Sequence, residues 1–207
     1  MAGCQLYLIT PPVLEPASFA DRLARALDAG PVAALQLRLK DADDDGWKRA
    51  IDALRPVAQS RGVAFLLNDR ADLVRASGSD GVHVGQTDMK ARDARKLIGP
   101  DLTLGVTCHA SRDLAMAAGE DGADYVAFGA FFPTQTKLAE TQADVDLLAW
   151  WSELMELPCV AIGGITPENV GDLVRAGADF IAVCGAVWNG DEAANVVALS
   201  EAMAKAS

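Results

Sequence analysis

Short apolar runs alternate with amphipathic segments from one end of the chain to the other, and this alternation constrains the fold most strongly. Strands that alternate with helices pair in parallel, because each helix returns the chain to the side of the sheet where the next strand begins. The predicted strands are Gln5–Thr10, Val32–Arg38, Val63–Leu67, Gly81–Val84, Leu102–Val106, Tyr125–Phe128, Cys159–Ile162 and Phe180–Val183. The predicted helices are Ser18–Ala29, Asp45–Ser60, Ala71–Ala76, Met89–Ile98, Ser111–Ala118, Val145–Glu156, Pro167–Arg175 and Asp191–Ala204.

Eight βα units in 207 residues predict the α/β class and, within it, a (β/α)8 TIM barrel formed by a single domain over residues 1–207. Barrels of this kind more often contain about 250 residues, so the connecting loops have to be short. A doubly wound, flavodoxin-like sheet is the main alternative. Such a sheet normally contains fewer strands, so it would not account for all eight βα units.

A seven-residue pattern of the form glycine, small residue, aspartate, any residue, apolar, any residue, apolar occurs three times. It starts at Gly78, Gly122 and Gly177 and covers the predicted fourth, sixth and eighth strands. The glycine ends the preceding helix and the aspartate begins the strand. One copy is a common turn in any parallel sheet, whereas three copies on alternate strands favour a barrel of similar units.

The charge of the chain excludes one broad class of partner. The formal net charge is -11 and the pI is near 4.5, so the average surface repels polyanions and nucleic acid is not expected to bind. Residues 1–20 lack the pattern of a signal peptide, and no apolar stretch is long enough to cross a bilayer. We therefore expect a cytoplasmic protein with no membrane partner. The cysteines are far apart and are expected to be reduced thiols: Cys4, Cys108, Cys159 and Cys184.

The second predicted strand carries charges although a barrel strand has no face in contact with solvent. Period two places Gln36, Arg38 and Lys40 on one face, opposite three leucines. Helices cover the outside of a barrel and side chains fill its inside, so the two cations are expected to point inward. Their burial is costly unless an anion meets them, which predicts an anion site at the barrel mouth. The alternative is an edge strand with a solvated charged face.

Two carboxylates follow neighbouring strands and indicate a metal site. Asn68 and Asp69 come directly after the third strand, and Asp88 follows the fourth. In a barrel the two aspartates lie at the same end, an arrangement that holds a hard cation such as Mg²⁺ while it keeps waters and substrate oxygens. Each aspartate alone is better explained as a helix N-cap. Together with Arg38 and Lys40, the pair favours a site for diphosphate and Mg²⁺.

The loop after the sixth strand is rich in groups that bind phosphate. Hydroxyls at Thr134 and Thr136 and the ammonium group of Lys137 offer hydrogen-bond donors. Phe131 and Phe132 are expected to form a flat apolar wall beside them. The alternative is a surface loop with a single lysine.

The remaining strand ends carry weaker signals. Gly163–Gly164 follows the seventh strand and Cys184–Gly185 the eighth, where barrels often bind phosphate on backbone N–H groups. Thr107 follows the fifth strand. His83 and His109 are the only histidines, and each is better explained as a structural histidine with satisfied hydrogen bonds than as a catalytic group.

Five segments on successive strand ends together resemble the thiamine phosphate synthase family. They are Gln36–Lys40, Leu67–Arg70, Gly81–Asp88, Gly129–Lys137 and Ala161–Ile165. The resemblance covers almost the whole chain in order. It implies a (β/α)8 barrel that uses Mg²⁺ to join 4-amino-2-methyl-5-(diphosphooxymethyl)pyrimidine to a thiazole phosphate, giving thiamine phosphate and diphosphate.

The resemblance also implies roles for individual residues. Those that would hold the diphosphate of the pyrimidine are Gln36, Arg38, Lys40, Asn68 and Lys137, with Thr107 close to the same substrate. Those that would hold the thiazole phosphate are Thr134, Gln135, Thr136, Gly164, Cys184 and Gly185. Asp69 and Asp88 would bind Mg²⁺.

The chemistry that the resemblance implies is a dissociative substitution, in which diphosphate leaves before the thiazole nitrogen attacks. Arg38, Lys40 and Lys137 would be the catalytic residues, because they stabilise the charge that builds up on the leaving oxygens. The aminopyrimidine ring supplies its own electron release. No protein nucleophile is therefore needed.

The chain departs from the family pattern at several positions. Leu39 replaces an acidic residue, Thr107 replaces a serine, and Gly185 replaces a serine whose hydroxyl would assist the thiazole phosphate. The segment 138–144 is also atypical. The change at Gly185 bears most directly on the second substrate, because glycine offers only its N–H group.

Two other functions remain open from the sequence. A thiazole tautomerase on the same barrel would not need the diphosphate site, and a non-catalytic paralogue would bind a phosphorylated ligand without turnover. The pair Trp150–Trp151 and Trp188 are expected in the core, with a subunit contact in a homo-oligomer as the alternative.

Overall fold

The computed structural model describes residues 3–134 and 142–207 of the chain. Within these ranges eight parallel strands pair in sequence order, and the first strand pairs with the last to close a barrel. The strands are β1 (Gln5–Ile9), β2 (Val32–Leu37), β3 (Ala64–Asn68), β4 (Gly81–Val84), β5 (Thr103–His109), β6 (Tyr125–Gly129), β7 (Cys159–Ile162) and β8 (Phe180–Val183). The predicted (β/α)8 barrel is confirmed, and the doubly wound alternative is wrong because its sheet would be open.

Each strand is followed by helical structure that packs against the outside of the sheet. The helices are α1 (Pro16–Ala29), α2 (Asp44–Gln59), α3 (Ala71–Ser77), α4 (Ala91–Ile98), α5 (Arg112–Glu120), α6 (Val145–Leu154), α7 (Val170–Arg175), α8 (Gly185–Trp188) and α9 (Glu192–Ala206). Periodicity does not reveal α8, because four residues are too few to show a helical period. Across both described ranges, no helix is long and apolar enough to span a membrane.

Two predicted helix starts are wrong for local reasons. Ser18 is not the N-cap of α1, because the carboxylate of Glu15 accepts hydrogen bonds from the N–H groups of Ala17 at 3.2 Å and Ser18 at 2.7 Å. The helix therefore begins with Pro16, at the first position that tolerates proline. α7 begins at Val170 rather than at Pro167, after a turn.

The apolar side chains form two layers that the strands separate. The layer inside the barrel contains Tyr7, Ile9, Ala34, Leu66, Tyr125, Ala127, Val160 and Ala182. The larger layer lies between the sheet and the helices, and it includes Trp151 and Trp188, which confirms their expected place in the core. Gly105 creates the space for the Tyr125 ring, because a Cβ atom at this position would overlap the phenol.

The repeated aspartate joins neighbouring strands at the amino end of the barrel. The Asp80 carboxylate accepts the Phe65 N–H at 2.7 Å, and the Asp80 N–H donates to the Phe65 carbonyl at 2.9 Å. The Asp80 carbonyl then accepts the Thr103 N–H of β5 at 2.9 Å. One aspartate thus links the three strands β3, β4 and β5.

The other two copies of the repeat make the same side-chain contact. The Asp124 carboxylate accepts the Leu104 N–H at 2.7 Å, and the Asp179 carboxylate accepts the Cys159 N–H at 2.8 Å. The Asp179 carbonyl also accepts the Gln5 N–H at 2.9 Å, which connects the last strand to the first. The repeat therefore pairs an N–H group at the first or second residue of each of these strands, and its third copy also joins the last strand to the first.

Replacement of this aspartate tests its part in closing the barrel. In Asp80→Ala the N–H of the fully buried Phe65 loses its acceptor, and an unpaired buried donor costs about 1–3 kcal/mol in the free energy of unfolding. In Asp80→Asn an oxygen acceptor remains, so we expect most of that stability to be kept. Urea unfolding of the two variants measures the difference. Equal stability of both variants would contradict the role of the side-chain oxygen.

Candidate active site

A cavity of about 530 Å³ opens at the carboxyl end of the barrel, where active sites of this fold lie. Its apolar part is formed by Ile9, Ala127, Val160, Ile162 and Ala182. Its polar part brings together residues from several strand ends: Gln36, Arg38, Asn68, His83, Thr107, His109, Thr134, Thr166 and Asn189. Gly164, Cys184 and Gly185 line the same cavity. The predicted site residues of β2, β3, β5, β6, β7 and β8 therefore meet in one place.

The structure separates the two cations predicted to point inward. Arg38 lines the cavity, and Gln36, which is only 3% exposed, lies deeper beside it. Lys40 is exposed and does not line the cavity, so the prediction that it points inward is wrong. The reason is that β2 ends at Leu37, and the strand alternation of side chains does not continue to Lys40. Its backbone N–H donates instead to the Pro12 carbonyl at 2.8 Å.

Thr10 holds the backbone of Arg38 on both sides and is a residue that sequence reasoning missed. Its Oγ1 accepts the Arg38 N–H at 2.9 Å and donates to the Arg38 carbonyl at 3.2 Å. Thr10 is fully buried. A signal was present in the sequence, since Thr10 stands directly before Pro11 and Pro12. A strand cannot continue its ladder through residues that have no N–H group, so a side chain takes over the pairing.

Asp69 and Asp88 lie next to each other at the rim of the site. The Asp69 carboxylate accepts hydrogen bonds from the Asn68 side-chain amide and from the Gly85 N–H at 3.4 Å. Burial raises the pKa of Asp69 to about 6, and the charge of Asp88 and a hydrogen bond with it add to the increase. The Asp69 backbone is also in the left-handed region, with φ of 62°, a conformation that aspartate adopts more readily than most residues.

The two carboxylates fit the donor set of a hard divalent cation. Like charges held together destabilise each other, and a cation between them removes that cost. Mg²⁺ is typically bound by one or two carboxylates and completes its shell with waters and substrate phosphates. Residues 3–134 and 142–207 contain no group of three or more histidine, cysteine or acidic side chains that could hold a metal ion.

A chain of hydrogen-bonded polar side chains crosses the interior below the cavity. Gln36 Nε2 donates to the Tyr7 hydroxyl at 2.9 Å, which contacts the Tyr125 hydroxyl at 2.9 Å. The Tyr125 hydroxyl lies 2.8 Å from His83 Nδ1, and His83 Nε2 lies 2.7 Å from Thr107 Oγ1. Burial lowers the pKa of His83 to about 4, so the ring is neutral at pH 7.

This arrangement confirms His83 as a histidine with satisfied hydrogen bonds and adds two tyrosines that sequence reasoning missed. Tyr7 and Tyr125 are the only tyrosines in the chain. Burial raises the pKa of Tyr7 to about 12, although its hydrogen bonds with Tyr125 and Gln36 act to lower it, and burial raises the pKa of Tyr125 well above 10. Both phenols are therefore neutral. The sequence signal for the two tyrosines was their position in β1 and β6, where the alternation of side chains along a strand places them on the inward face.

His109 differs from His83. It lines the cavity with a backbone φ of 53°, and its ring has no hydrogen-bond partner among the described residues. The prediction that it is a structural histidine with satisfied hydrogen bonds therefore stays a prediction. A bulge in the pairing of β5 with β6, between Thr107 and His109, turns the ring toward the cavity.

The loop after β6 lies directly against the loop after β7. The Phe131 N–H donates to the Ile162 carbonyl at 3.2 Å, and the Phe132 N–H donates to the Gly163 carbonyl at 3.0 Å. Gly163 and Gly164 have φ of 103° and 66°, and a Cβ atom on either would overlap the loop after β6. These glycines therefore allow the close approach of the two loops.

Part of the prediction for the loop after β6 is wrong. Phe131 is 4% exposed and packs in the core between sheet and helices, and neither it nor Phe132 lines the cavity. The predicted apolar wall is thus absent. Thr134 does line the cavity. Gln135, Thr136 and Lys137 lie outside the described residues.

The end of β8 is supported from behind by two ion pairs that a buried glutamate makes with partly exposed arginines. Trp188 of α8 donates its indole N–H to the Ile9 carbonyl at 2.7 Å, and its own carbonyl accepts from Arg22 Nη2 at 2.7 Å. Arg22 and Arg25 bind the two oxygens of Glu192, which is 4% exposed, at 3.0 and 2.5 Å. This cluster fixes α8, whose first residues line the cavity.

Comparison with known proteins gives a consistent match. The family model described as Thiamine monophosphate synthase matches residues 6–187. A protein of Rhodospirillum centenum named thiamine-phosphate synthase is 65% identical over 189 residues, which are 91% of each chain. One of Erythrobacter litoralis with the same name is 50% identical over 206 residues, or 98% of this chain and 96% of that one. The solved structure of thiamine phosphate pyrophosphorylase from Pyrococcus furiosus superposes with a TM-score of 0.86 at 31% identity, covering 98% of this chain and 96% of that chain.

The ion pair behind α8 predicts a pH-dependent stability. Burial by itself would raise the pKa of Glu192, but hydrogen bonds from Arg22 and Arg25 outweigh it and lower the pKa below its ordinary 4.5. A lowered pKa adds stability above that value, and the contribution is lost as the pH falls through the folded-state pKa. We expect Glu192→Gln to be less stable than the parent at pH 7, and the difference to shrink below about pH 4.5. Urea unfolding as a function of pH measures it.

Glu201→Gln on the same helix is the matched control. Glu201 is exposed and lies 4.0 Å from an equally exposed lysine, so its replacement changes stability by less than about 0.5 kcal/mol. A pH-independent deficit in Glu192→Gln would contradict the assignment of its effect to the ion pairs.

Proposed function

The chain belongs to the thiamine monophosphate synthase family, and we propose that it joins 4-amino-2-methyl-5-(diphosphooxymethyl)pyrimidine to a thiazole phosphate. The products are thiamine phosphate and diphosphate. The bond between the pyrimidine methylene carbon and the diphosphate oxygen breaks, and a bond from the same carbon to the thiazole nitrogen forms. The leaving group takes the bonding electrons, and the nitrogen lone pair replaces them.

The observation that carries this proposal is the presence of two different anion-binding walls in one cavity. Gln36, Arg38 and Asn68 lie at the ends of β2 and β3, next to the carboxylates of Asp69 and Asp88. Gly164, Cys184 and Gly185 line the cavity at the ends of β7 and β8, and β1 separates β8 from β2. A reaction between a diphosphate and a monophosphate needs a place for each.

The first wall suits the diphosphate of the pyrimidine. Arg38 offers a planar set of donors that bind phosphate oxygens in pairs, and the backbone clamp by Thr10 holds the residue in place. Gln36 and Asn68 add carboxamide groups, and Thr107 adds a hydroxyl. Lys137 completes the proposed set of cations around the leaving group, whereas Lys40 is exposed and does not line the cavity. We assign the stabilisation of the developing charge on the leaving group to Arg38 and Lys137.

Asp69 and Asp88 are the proposed ligands of Mg²⁺. When bound, the ion would supply positive charge to the leaving oxygens. The role of the protein at this point is to hold two carboxylates side by side, as the raised pKa of Asp69 reflects. The hydrogen bond from the Asn68 amide orients the Asp69 carboxylate.

The second wall suits the thiazole phosphate. Gly164 and Gly185 line the cavity at the ends of β7 and β8, where barrels of this fold often bind phosphate on backbone N–H groups. The proposed binding set for this phosphate contains Thr134, Gln135, Thr136, Gly164, Cys184 and Gly185. A thiol at Cys184 remains protonated there, because burial raises its pKa against the effect of the Arg38 charge.

Several finer statements stay predictions. They are the extent of the domain over residues 1–207, a cytoplasmic location, the absence of a nucleic-acid partner, and a homo-oligomeric state.

A direct assay tests the proposed function. Purified protein incubated with both phosphorylated heterocycles and Mg²⁺ is expected to form thiamine phosphate and diphosphate in equal amounts. EDTA is expected to abolish turnover, because the two carboxylates then have no cation to bring to the leaving group. Isomerisation of a thiazole without joining would instead support a tautomerase. Binding of the thiazole phosphate without any conversion would support a non-catalytic protein.

The role of Lys137 is tested by Lys137→Ala. We expect kcat to fall at least about 100-fold, since one well-placed donor to developing charge is typically worth that much. Lys205→Ala, which removes an exposed lysine from the last turn of α9, is the control and should keep the parent rate. Equal rates for the two variants would contradict a catalytic role for Lys137.

A further inference from the structure

The polar side chains inside the barrel form a single unbranched hydrogen-bonded path, here termed the interior chain. It runs from Gln36 through Tyr7, Tyr125 and His83 to Thr107, with separations of 2.9, 2.9, 2.8 and 2.7 Å. Gln36, Tyr7, Tyr125 and His83 are each no more than 7% exposed. Gln36, Tyr7, His83 and Thr107 line the cavity, and Tyr125 is the one member of the path that does not. The path thus follows the buried part of the cavity wall from Gln36 to Thr107.

The chemistry of the groups gives this path a direction. The nitrogen of the Gln36 amide only donates, so the Tyr7 oxygen accepts from it and has its own single hydrogen left to give. The Tyr125 hydroxyl is the neighbour that can take it. Tyr125 then has one hydrogen to donate, and His83 Nδ1 is the acceptor in reach. A neutral imidazole that accepts at Nδ1 carries its proton on Nε2 and donates to Thr107.

We infer that the interior chain is polarised from Gln36 to Thr107, so that His83 is held as the Nε2–H tautomer and the Thr107 hydroxyl directs its own hydrogen into the cavity. Thr107 is then a donor to a bound ligand. Gln36 presents its carbonyl oxygen and its second N–H to the cavity at the other end. Tyr7, Tyr125 and His83 act as positioning residues. Each donates a hydrogen bond to the next member, so the donor at Gln36 determines which way the Thr107 hydroxyl donates.

The opposite direction is chemically possible, and it shows what sets the choice. If position 36 offered only acceptors, Tyr7 would donate to it, Tyr125 would donate to Tyr7, and His83 would donate from Nδ1. Thr107 would then use its hydrogen on His83 and offer the cavity only lone pairs. A change at position 36 should therefore move a proton on His83, although two tyrosines separate these residues.

The proton position on His83 can be read directly by two-bond ¹H–¹⁵N NMR of the full-length protein at neutral pH. The chain has only two histidines, so the His109→Gln variant assigns the signals. The expected pattern for His83 is that of a neutral ring protonated at Nε2. A ring protonated at Nδ1 would overturn the proposal. No substrate is present, so the result does not depend on the proposed function.

Replacement of Gln36 tests how the direction is set. In Gln36→Glu, in alkaline buffer where the introduced carboxyl is ionised, His83 is expected to change to the Nδ1–H form. In Gln36→Met, which removes the donor without adding an acceptor, Tyr7 still donates to Tyr125 and the Nε2–H form should remain. A second change, Tyr7→Phe in the Gln36→Glu background, removes the link and should restore the Nε2–H form. An unchanged tautomer in Gln36→Glu would overturn the proposal, and the parent spectrum remains decisive if this variant does not fold.

The consequence for turnover rests on the proposed function and is measured separately. Thr107→Ser keeps the hydroxyl and should keep kcat/KM within about threefold. Thr107→Val removes the donor and should lower kcat/KM by about tenfold, the usual worth of one hydrogen bond. Equal kcat/KM for the two variants would show that Thr107 donates nothing to the substrate. If the unsubstituted protein shows no turnover but its His83 is the Nε2–H tautomer, the proposed function is rejected. The direction of the hydrogen bonds in the interior chain is then still supported.

Discussion

Closure of the parallel sheet is the constraint on which the rest of this structure depends. An open parallel sheet leaves unpaired N–H and C=O groups along two edges, and a barrel removes both edges. The aspartates Asp80, Asp124 and Asp179 add to this pairing at the amino end, where each accepts an N–H from the first or second residue of the preceding strand. Because the backbone groups are paired at the amino end, the loops at the carboxyl end are not needed to complete the sheet and can carry polar groups. The cavity lies there for that reason.

The side chains that fill the interior of the barrel also support the site. An interior of this size is normally filled with aliphatic side chains, but here Tyr7, Tyr125 and His83 fill it together with small residues. Buried polar groups are tolerated only when each has a partner, and the path from Gln36 to Thr107 provides one for every member. The layer beneath the reacting groups is therefore both densely packed and directional. A purely apolar layer would pack as well but would not orient the groups above it.

Much of the fold and part of the site can be predicted from the sequence. Strand and helix positions follow from hydrophobic period, and the residues at strand ends follow from the rule that carboxyl ends of parallel strands meet. The errors come from contacts that a local pattern does not contain. Ser18 is a good N-cap residue, but the carboxylate of Glu15 takes that role. Lys40 follows the alternation of β2 in the sequence, but the strand ends at Leu37 and the lysine side chain is exposed.

The sequence by itself determined the order of elements, the repeat that closes the barrel, and the polar groups at the strand ends, because these depend on short-range spacing. Tertiary structure alone decided which of those groups face one cavity. It placed Arg38 inside and Lys40 outside, turned His109 inward through a bulge, and put Phe131 into the core. It also joined Tyr7 to Tyr125, which are 118 positions apart, and no local rule pairs residues at that distance. The physical reason is that a hydrogen bond between two buried side chains depends on where closure brings their strands, and closure is a property of all eight strands together.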